Sequence, residues 1–583
     1  MQKNSFRWKI GGLAGNGIKA AGDIFAKTCT RGGLHIFDYL EFPSLIRGGH
    51  NTYQIRVEDR DVFSHDDRID LLVALNDNAI RLHQNELDPG GGIMYDPRVI
   101  TADVESLGAK GIKLFAIPLV ELAKKYGEIV MQNTVSVGAS FALVKYPFEI
   151  LERVIHDAFA GKNDEVVTSN VLAAKAGYDF IEKEFSSVDF SHLLEPIGSS
   201  STQLVVTGND ALALGAIQAG CKLYVAYPMS PSSSILHTMA QYGDQFGIVV
   251  KHAEDELSVA NMAIGANYAG VRAMLGTSGG GFALMGEAVG LAGITETPLV
   301  MVDAQRPGPA TGLPTWTAQS DLRFVLHAAQ GEFPRFVIAP GDMEECFYTA
   351  SEAFNLAEKY QTPVIILLDK YLSEGHKSVV PFDLSRVKID RGQVAREKDL
   401  SGLSEYRRYA VTESGISPRA FPGTKGGLHI ANSDEHDPYG YSEESSENST
   451  EQMEKRLRKF DKAEVDIEQP KLTGTPNADV TLVGWGSTKG PIREAMQLLE
   501  GAGITANQLH IRFINPFPSK TVASVFRQAK KTVVIENNAT GQLFGLIRER
   551  IGLEAHAKVL KFDGRPFHPR EIKKSIEDIL THA

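Results

Sequence analysis

The chain has 583 residues, 43% of them hydrophobic, and 55 glycines, so it is long enough for about three to five domains with several buried cores. Its formal net charge of −12 argues against nucleic-acid binding, which requires a basic face that neutralises phosphates. The three cysteines are far apart and form no CxxC pair, which argues against a zinc or iron–sulfur ligand set in this chain.

The same features predict a cytoplasmic location. A low cysteine content is typical of a reducing compartment. The N-terminus lacks the apolar run of a signal peptide, and no segment approaches the roughly 20 apolar residues that span a bilayer. We therefore expect no association with membranes.

The N-terminal segment alternates between strand and helix patterns. Strands are predicted at residues 6–10, 34–37, 52–57 and 70–74, and a helix is predicted at 18–28. This alternation favours a mostly parallel sheet with crossover helices.

A glycine-rich turn follows the first strand. Gly15 and Gly17 fit a loose dinucleotide-binding pattern, with Asp38 placed where a ribose-binding acid would be expected. A turn without a ligand is equally compatible, and so is a phosphate-containing ligand other than NAD. Further along, Arg47 precedes two glycines, where it could hold an anion or simply turn the chain.

A polar, Ser-rich linker at 190–203 precedes a second α/β segment, which ends with the strand at 363–368. Three of its strands lead into loops of unusual composition. These loops contain Ser230 between two prolines, the run Thr277-Ser-Gly-Gly-Gly, and Arg306 followed by Pro and Gly. Because the carboxyl ends of parallel strands share one edge, we expect the loops to converge on a ligand site.

An acidic turn stands between the strand at 247–250 and an Ala/Gly-rich helix. Glu254, Asp255 and Glu256 could simply complement the helix dipole there. A glutamate at this position, next to apolar surface, could instead be held for a proton-handling role.

The pattern weakens between about 375 and 475, where polar residues dominate. We expect an exposed loop at 443–451 and a charged helix around 454–460. A third α/β segment begins at 479 and continues to the C-terminus.

Taken together, these motifs resemble the alpha subunit of the 2-oxoacid:ferredoxin oxidoreductases, and within that family the 2-oxoglutarate enzymes. The resemblance rests on Tyr227-Pro-Met-Ser-Pro-Ser-Ser, the helix with Glu256, Thr277-Ser-Gly-Gly-Gly, and Arg306-Pro-Gly-Pro-Ala-Thr-Gly-Leu-Pro-Thr. It also includes Glu435-His-Asp-Pro-Tyr-Gly440, Gly484-Trp-Gly-Ser-Thr-Lys-Gly and Lys531-Thr-Val-Val-Ile-Glu-Asn-Asn.

The resemblance implies three α/β domains. Residues 1–190 would be a gamma domain fused ahead of the alpha part, and 200–375 a thiamine-diphosphate pyrimidine-binding domain. Residues 376–475 would be a partly irregular insertion, and 476–583 a transketolase C-terminal-like domain.

It also implies a role for each motif residue. Glu256 would hydrogen-bond N1′ of the aminopyrimidine and favour the imino tautomer, whose N4′ removes the thiazolium C2 proton. Ser230 stands where many relatives have threonine, Arg306 would hold the substrate carboxylate, and Thr315 would supply a second hydroxyl. The remaining cofactor contacts would come from Pro228, Thr277, Ser278 and Gly279, although Thr277-Ser-Gly-Gly-Gly departs from the commoner Ser-Gly-Pro-Gly loop.

The chain has no GDG…N segment of the kind that binds diphosphate and Mg²⁺. The resemblance therefore implies a separate beta subunit with that domain and a [4Fe-4S] cluster, in an (alpha-beta)2 heterotetramer that reduces ferredoxin. Coenzyme A would be the cosubstrate, with Gly15, Gly17 and Arg47 as candidate contacts.

The expected reaction is oxidative decarboxylation of 2-oxoglutarate to succinyl-CoA, as in the tricarboxylic acid cycle. Alternatives are pyruvate or branched-chain specificity, a non-catalytic scaffold subunit, and a dinucleotide-dependent dehydrogenase built on Gly15, Gly17 and Asp38.

Overall fold

The computed structural model describes residues 2–45, 48–198 and 203–582, which fall into two compact units. The first comprises the described residues of Met1–Val206 together with Gly375–Pro381 and His568–Arg570. The second comprises Thr207–Glu374, Phe382–Phe567 and Glu571–Ala583 without the last residue. The chain therefore passes between the units more than once.

The first unit is a sheet with helices. Its strands are β1 Gln2–Lys3, β2 Ser5–Leu13, β3 His35–Glu41, β4 His50–Glu58, β5 Ile69–Ala74, β6 Leu87–Tyr95, β7 Lys113–Ala116, β8 His192–Leu193, β9 Leu204–Thr207 at the boundary, and β16 His376–Val379. Its α-helices are α1 Ile18–Arg31, α2 Asp77–His83, α3 Glu105–Gly108, α4 Leu119–Tyr126, α5 Gln132–Leu143, α6 Phe148–Ala158 and α7 Asp164–Glu184.

The main sheet of this unit has the order β7-β6-β5-β2-β4-β3-β16-β9. The predicted strands and the first helix are confirmed, but the prediction of a mostly parallel sheet is wrong. Strands β7, β6, β5 and β2 are parallel, whereas β2–β4, β4–β3 and β3–β16 are antiparallel. The reason is the short connection from Glu41 to His50, since a parallel crossover needs a dozen or more residues.

Aromatic residues fill the core of the first unit. Phe25 on α1 stacks on Trp8 from β2 and on Phe141 from α5, each with 4.5 Å between ring centroids. All three side chains are fully buried. Such offset stacking contributes about 0.5–1.5 kcal/mol per pair beyond the area buried, and it fixes α1 directly after the glycine-rich turn.

The second unit contains two further sheets. Its strands are β10 Leu223–Ala226, β11 Val249–His252, β12 Ala273–Thr277, β13 Leu299–Gln305, β14 Phe336–Ile338, β15 Pro363–Asp369, β17 Leu472–Gly474, β18 Val480–Gly484, β19 Ala506–His510, β20 Phe513–Asn515, β21 Thr532–Glu536 and β22 Ala557–Leu560. Its helices are α8 Gly208–Gln218, α9 Ser233–Phe246, α10 Glu256–Tyr268, α11 Gly279–Leu284, α12 Gly286–Ile294, α13 Leu322–Leu326, α14 Met343–Tyr360, α15 Lys370–Glu374, α16 Glu397–Leu400, α17 Ser446–Arg458, α18 Lys489–Glu500, α19 Ser519–Gln528, α20 Gln542–Ile551 and α21 Pro569–His582, whose first residues belong to the first unit.

The middle sheet has the order β11-β10-β12-β13-β15-β14-β20 and is parallel except for β20, which comes from the C-terminal part of the chain. The C-terminal sheet has the order β17-β19-β18-β21-β22 and is parallel except at β17–β19. One hydrophobic cluster includes Val259 and Met301 from the middle segment together with Trp485 and Leu543 from the C-terminal one. The two sheets therefore share a core, and the predicted α/β class is confirmed.

The segment after β16 is largely irregular, but it does not follow the predicted pattern throughout. The prediction of a loop at 443–451 is wrong, because α17 already begins at Ser446. The Ser445 hydroxyl accepts a hydrogen bond from the backbone N–H of Asn448, and Glu447 lies in the first turn, so polar composition here reflects a capped, charged helix.

A buried ion cluster attaches this helix to the middle segment. The carboxylate of Glu296, which follows α12, forms ion pairs with Lys455 and Lys459. Arg408 donates a hydrogen bond from Nη2 to the backbone oxygen of Glu296 at 2.8 Å. All four side chains are buried. Burial, opposed by Glu296, lowers the pKa of Lys459 to about 7.

Among the described residues, no helix combines the length and apolar character needed to cross a bilayer. The three cysteines are buried and form no disulfide.

Candidate active site

The loops after three neighbouring strands of the middle sheet meet at one edge, as predicted. Strands β10, β12 and β13 are adjacent and parallel, so the loops that begin at Tyr227, Ser278 and Arg306 leave the sheet side by side. Strand β11, which is the other neighbour of β10 in the sheet, leads into α10 through the acidic turn. This edge is where open α/β sheets bind ligands.

The three carboxylates of the acidic turn have different surroundings. Asp255 is the N-cap of α10, and its side chain accepts a hydrogen bond from the Ser258 backbone N–H at 2.8 Å. Glu254 is exposed and accepts one from the Ser258 hydroxyl at 2.7 Å. Glu256 turns inward instead: it is 4% exposed, and its Oε1 has no hydrogen-bond partner. Asp255 already supplies the N-cap, so Glu256 is not needed to cap the helix, and its burial distinguishes it from a solvent-facing acid of the first turn.

The glycines at the start of α11 leave room for the Glu256 carboxylate. A Cβ atom at Gly281 would lie 2.8 Å from Glu256 Oε1 and would overlap the Thr277 hydroxyl. Thr277 and Ser278 are fully buried, and the Ser278 hydroxyl also has no partner. Buried polar atoms are nearly always hydrogen-bonded, so this cluster of unsatisfied groups marks a place prepared for a ligand.

The structure also joins the two predicted substrate residues. Arg306 donates a hydrogen bond from Nη1 to the Ser230 backbone oxygen at 2.8 Å, which brings the loop after β13 to the loop after β10. Both residues are half-buried, so the guanidinium keeps open surface for a ligand. Ser232 directly precedes α9, but its hydroxyl donates to the Met229 backbone oxygen and does not cap the helix.

The other predicted contacts lie on the same loops. Thr315 is 4% exposed and follows Arg306 on its loop, whereas Pro228 is exposed on the loop after β10. The half-buried Gly279 begins α11, and the carboxyl carbon of Asp321 lies 3.0 Å from the position of a Cβ atom there.

Sequence reasoning missed two carboxyl groups, one on β13 and one at the end of the loop that follows it. Asp303 on β13 is fully buried and neither of its side-chain oxygens has a partner. Burial, with a smaller contribution from Asp321, raises its pKa well above the usual range. Burial likewise raises the pKa of Asp321 to about 6, while Arg306 opposes that shift. The available signal was an aspartate directly after the apolar run 299–302 and three residues before Arg306.

Hydrogen bonds from the C-terminal segment fix the loop that precedes Asp321. The side chain of Gln319 donates to the Trp485 backbone oxygen at 2.8 Å and accepts from the Asn537 N–H at 3.0 Å. Asn538 donates to the Gln319 backbone oxygen at 3.0 Å. The Asn-Asn pair noted in the sequence thus positions an active-site loop of the middle segment.

In the first unit, the two candidate glycines differ. Gly15, with φ of 92°, has open space where a side chain would be, so a ligand could approach its backbone. A Cβ at Gly17 would collide with Asn133, whose side chain donates to the Gly17 oxygen at 3.0 Å, so close packing alone explains this glycine. Arg47, the third candidate, lies outside the described residues.

Asp38 does not fit the dehydrogenase alternative. It is fully buried on β3, where it accepts hydrogen bonds from the Tyr53 hydroxyl at 2.7 Å and from the His376 backbone N–H at 2.7 Å. Both acceptor oxygens are therefore engaged, and a ribose could not reach them. Strand β4 also separates β2 from β3, unlike in a dinucleotide-binding unit.

The residues present fit the aminopyrimidine of thiamine diphosphate. The orphaned Glu256 Oε1 offers the carboxyl oxygen that a ring nitrogen needs, and Gly281 leaves the space beside it. In the described parts of the chain, no group of three or more His, Cys, Asp or Glu side chains could hold a metal ion.

Three family models match successive parts of the chain. Residues 214–455 match "Pyruvate flavodoxin/ferredoxin oxidoreductase, thiamine diP-bdg". Residues 7–180 match "Pyruvate ferredoxin/flavodoxin oxidoreductase", and residues 478–572 match "Pyruvate:ferredoxin oxidoreductase core domain II".

Known relatives match over nearly the whole length. The alpha subunit of 2-oxoacid:ferredoxin oxidoreductase 2 from Aeropyrum pernix is 33% identical over 98% of this chain and 97% of its own. The 2-oxoglutarate oxidoreductase subunit KorA from Mycobacterium tuberculosis is 31% identical over 98% and 91%. Among solved structures, the 2-oxoglutarate:ferredoxin oxidoreductase from Magnetococcus marinus, with 2-oxoglutarate, coenzyme A and succinyl-CoA bound, is 31% identical and covers 99% of this chain and 100% of its own, with a TM-score of 0.92.

Proposed function

Because this chain belongs to the 2-oxoacid:ferredoxin oxidoreductase family, as an alpha subunit with a thiamine-diphosphate-binding domain, we propose that it serves a 2-oxoglutarate:ferredoxin oxidoreductase. The proposed reaction converts 2-oxoglutarate and coenzyme A to succinyl-CoA and carbon dioxide and passes the electron pair to ferredoxin. The relatives named for 2-oxoglutarate support this substrate.

One observation carries the proposed catalytic assignment: Glu256 is buried with an unpaired oxygen although the neighbouring Asp255 already caps the helix. A buried carboxyl group without a partner is costly unless a ligand completes it. Thiamine diphosphate, when bound, supplies a nucleophilic C2 carbon for addition to a keto group.

In the proposed mechanism each residue of this chain has a limited task. Glu256 would hold a proton at N1′ of the aminopyrimidine, and the bound cofactor would supply the base at its amino nitrogen. Arg306 binds the substrate carboxylate through its guanidinium, and Ser230 and Thr315 add hydroxyl contacts that orient the keto group. Pro228, Thr277, Ser278 and Gly279 would make the remaining contacts with the cofactor.

The proposal assigns the remaining parts to a partner. A beta subunit would hold the diphosphate, Mg²⁺ and a [4Fe-4S] cluster, in an (alpha-beta)2 assembly located in the cytoplasm. Coenzyme A would contact Gly15 and Arg47 in the first unit; the close packing of Gly17 makes it a weaker candidate.

The test is Glu256→Gln in the complex reconstituted with its beta subunit. We expect turnover and exchange of the C2 proton to fall by about 10²–10⁴-fold, with cofactor still bound, because the amide cannot supply the proton at N1′. Glu254→Gln is the matched control, since Glu254 is exposed on the same turn. Exchange at the wild-type rate in Glu256→Gln would show that the assignment is wrong.

Substrate choice is tested separately, by comparing turnover of 2-oxoglutarate with that of pyruvate by the wild-type complex. A preference for pyruvate would refute the proposed substrate and leave the role of Glu256 intact.

A further inference from the structure

A line of hydrogen-bonded side chains lies beside the glycine-rich turn of the first unit. His50 begins β4 and is paired in register with Leu13, the last residue of β2. Its Nε2 lies 2.8 Å from Nε2 of His83, and His83 Nδ1 lies 2.7 Å from Glu86 Oε1. The other carboxylate oxygen of Glu86 forms an ion pair with Lys9 of β2. His50, His83 and Glu86 thus form one connected histidine relay.

The hydrogen bonds fix which ring nitrogens carry protons. The Glu86 carboxylate only accepts hydrogen bonds, so His83 Nδ1 donates to it. Lys9 Nζ also lies 3.4 Å from His83 Nδ1, but the shorter, charge-assisted bond to Glu86 decides the tautomer. In the neutral ring His83 Nε2 is then the acceptor, so His50 donates its Nε2 proton and keeps a lone pair on Nδ1.

The lone pair on His50 Nδ1 is not used within the relay. This atom is buried, although the residue as a whole is half-buried, and it accepts no hydrogen bond from any described residue. A cluster that merely attached α2 to the sheet would need only Lys9, His83 and Glu86. Gly11 leaves space for the His50 ring, since a Cβ atom there would lie 3.2 Å from Cε1. The first unit therefore holds an unused proton acceptor next to its glycine-rich turn.

The relay gives a proton taken up by His50 a better place than the His50 ring itself. Burial, together with the charge of His83, lowers the pKa of His50 to about 4, so a positive charge on this ring is unfavourable. Transfer of the Nε2 proton to His83 moves the charge to the ring that Glu86 faces. His83 is also the last residue of α2, where the helix dipole favours a positive charge.

The charged groups around the relay differ in sign. Lys9 of β2 disfavours a further positive charge, whereas Glu86 and Glu41 of β3 favour it. Burial opposes ionisation of Glu86, but the hydrogen bond from His83 and the charge of Lys9 outweigh burial and lower the pKa of Glu86 to about 2. Glu86 is thus ionised at neutral pH, as acceptance of the His83 proton requires.

We propose that His50 Nδ1 accepts the thiol proton of coenzyme A, with His83 and Glu86 as positioning residues that take over the resulting charge. The inference rests on the proposed function, in which the thiol of coenzyme A becomes a thioester and so must lose its proton. Gly15, the proposed coenzyme A contact, belongs to the turn that follows the Leu13–His50 pair.

The proposed step moves protons only. The S–H bond breaks, an N–H bond forms at His50 Nδ1, and the electron pair stays on sulfur. The proton on His50 Nε2 passes to His83 Nε2, so His83 becomes the imidazolium beside Glu86.

The test is the ultraviolet difference spectrum of the reconstituted complex with coenzyme A against the same complex with desulfo-coenzyme A, which lacks the sulfur atom. A free alkyl thiol has a pKa of about 8.5, so only about 3% of it is thiolate at neutral pH. We expect the bound thiol to be mostly thiolate at this pH, a rise of more than about tenfold.

Two variants assign the effect to the relay. In His50→Gln the thiolate signal falls at least about tenfold at neutral pH and returns only as the pH approaches that of the free thiol pKa. Its kcat/KM for coenzyme A falls about 30-fold, in proportion to the thiolate fraction, and rises about tenfold per pH unit up to that pKa. In Glu86→Gln the signal also falls, because the charge on His83 loses its counter-ion while His50 stays in place. His156→Gln, an exposed histidine on α6, is the control.

An unchanged thiolate signal in either variant would overturn the relay. Because Glu86→Gln leaves His50 in place, it tests the relay independently of whether His50→Gln assembles. A wild-type complex that turns over 2-oxoglutarate with coenzyme A but shows no bound thiolate overturns this inference and leaves the proposed function intact. A complex that does not bind coenzyme A overturns both.

Discussion

At the scale of single residues, Gly281 gives the buried glutamate its space. A methyl group there would meet Glu256 Oε1 at 2.8 Å and overlap the Thr277 hydroxyl. We expect Gly281→Ala to weaken thiamine diphosphate binding by about 5- to 150-fold, since overpacking costs about 1–3 kcal/mol and each 1.4 kcal/mol is tenfold. Cofactor titration of the reconstituted complex measures the change.

A matched glycine gives the control. Gly286 begins α12 and has no atom within 4 Å of the position of its missing Cβ, so Gly286→Ala should bind cofactor normally. Equal cofactor affinity in both variants would contradict the steric argument.

The residues of the site differ in how well the sequence predicts them. Glu256, Arg306 and Ser230 were predicted because each follows a strand whose carboxyl end must reach a common edge. Asp303 and Asp321 were not, because one lies within an apolar strand pattern and the other resembles an ordinary loop acid. What distinguishes them is burial without a strong hydrogen-bond partner, which periodicity does not encode.

At the scale of elements, the ion cluster around Glu296 links α12 to α17. The carboxylate of Glu296 forms ion pairs with two buried lysines, so its loss leaves buried positive charge without a counter-ion. We expect Glu296→Gln to reduce the free energy of unfolding by about 3–5 kcal/mol. Denaturant unfolding of the complex measures this, with the exposed Glu332→Gln as control.

The lysine side of the cluster responds differently. Burial lowers the pKa of Lys459 to about 7, so the unfolded chain binds its proton more tightly than the folded one between about pH 7 and the usual lysine value. Stability should therefore rise with pH across this window, and Lys459→Met should flatten that dependence with little loss of stability. A Lys459→Met variant as unstable as Glu296→Gln would contradict this account.

At the scale of the whole molecule, hydrogen bonds of Gln319 connect the middle and C-terminal segments of the second unit. Gln319→Ala would leave the Trp485 oxygen and the Asn537 N–H buried without partners, at a cost of about 1–3 kcal/mol each. We expect a lower melting temperature and, because the proposed substrate contact Thr315 lies on the same loop, a changed KM for the 2-oxoacid. The exposed Gln528→Ala is the control; a normal melting temperature in Gln319→Ala would refute this role.

The overall class and most strands could be predicted from periodicity, since continuous apolar runs between glycine-rich turns leave few alternatives. The strand order of the sheet in the first unit could not be predicted, because the pattern of a strand does not indicate which strand it pairs with. Strand β16, which pairs with β3 through Lys377 and Phe37, comes from a distant part of the sequence, and local patterns cannot anticipate such long-range pairing.

This discontinuity has a consequence for synthesis on the ribosome. When residue 206 leaves the exit tunnel, β3 still lacks its neighbour β16, which is translated only with residues 376–379. The nascent N-terminal unit therefore presents an open strand edge while the whole middle segment is made. Such edges invite pairing with other chains, so the order of translation favours either chaperone protection or a delay in completing this sheet.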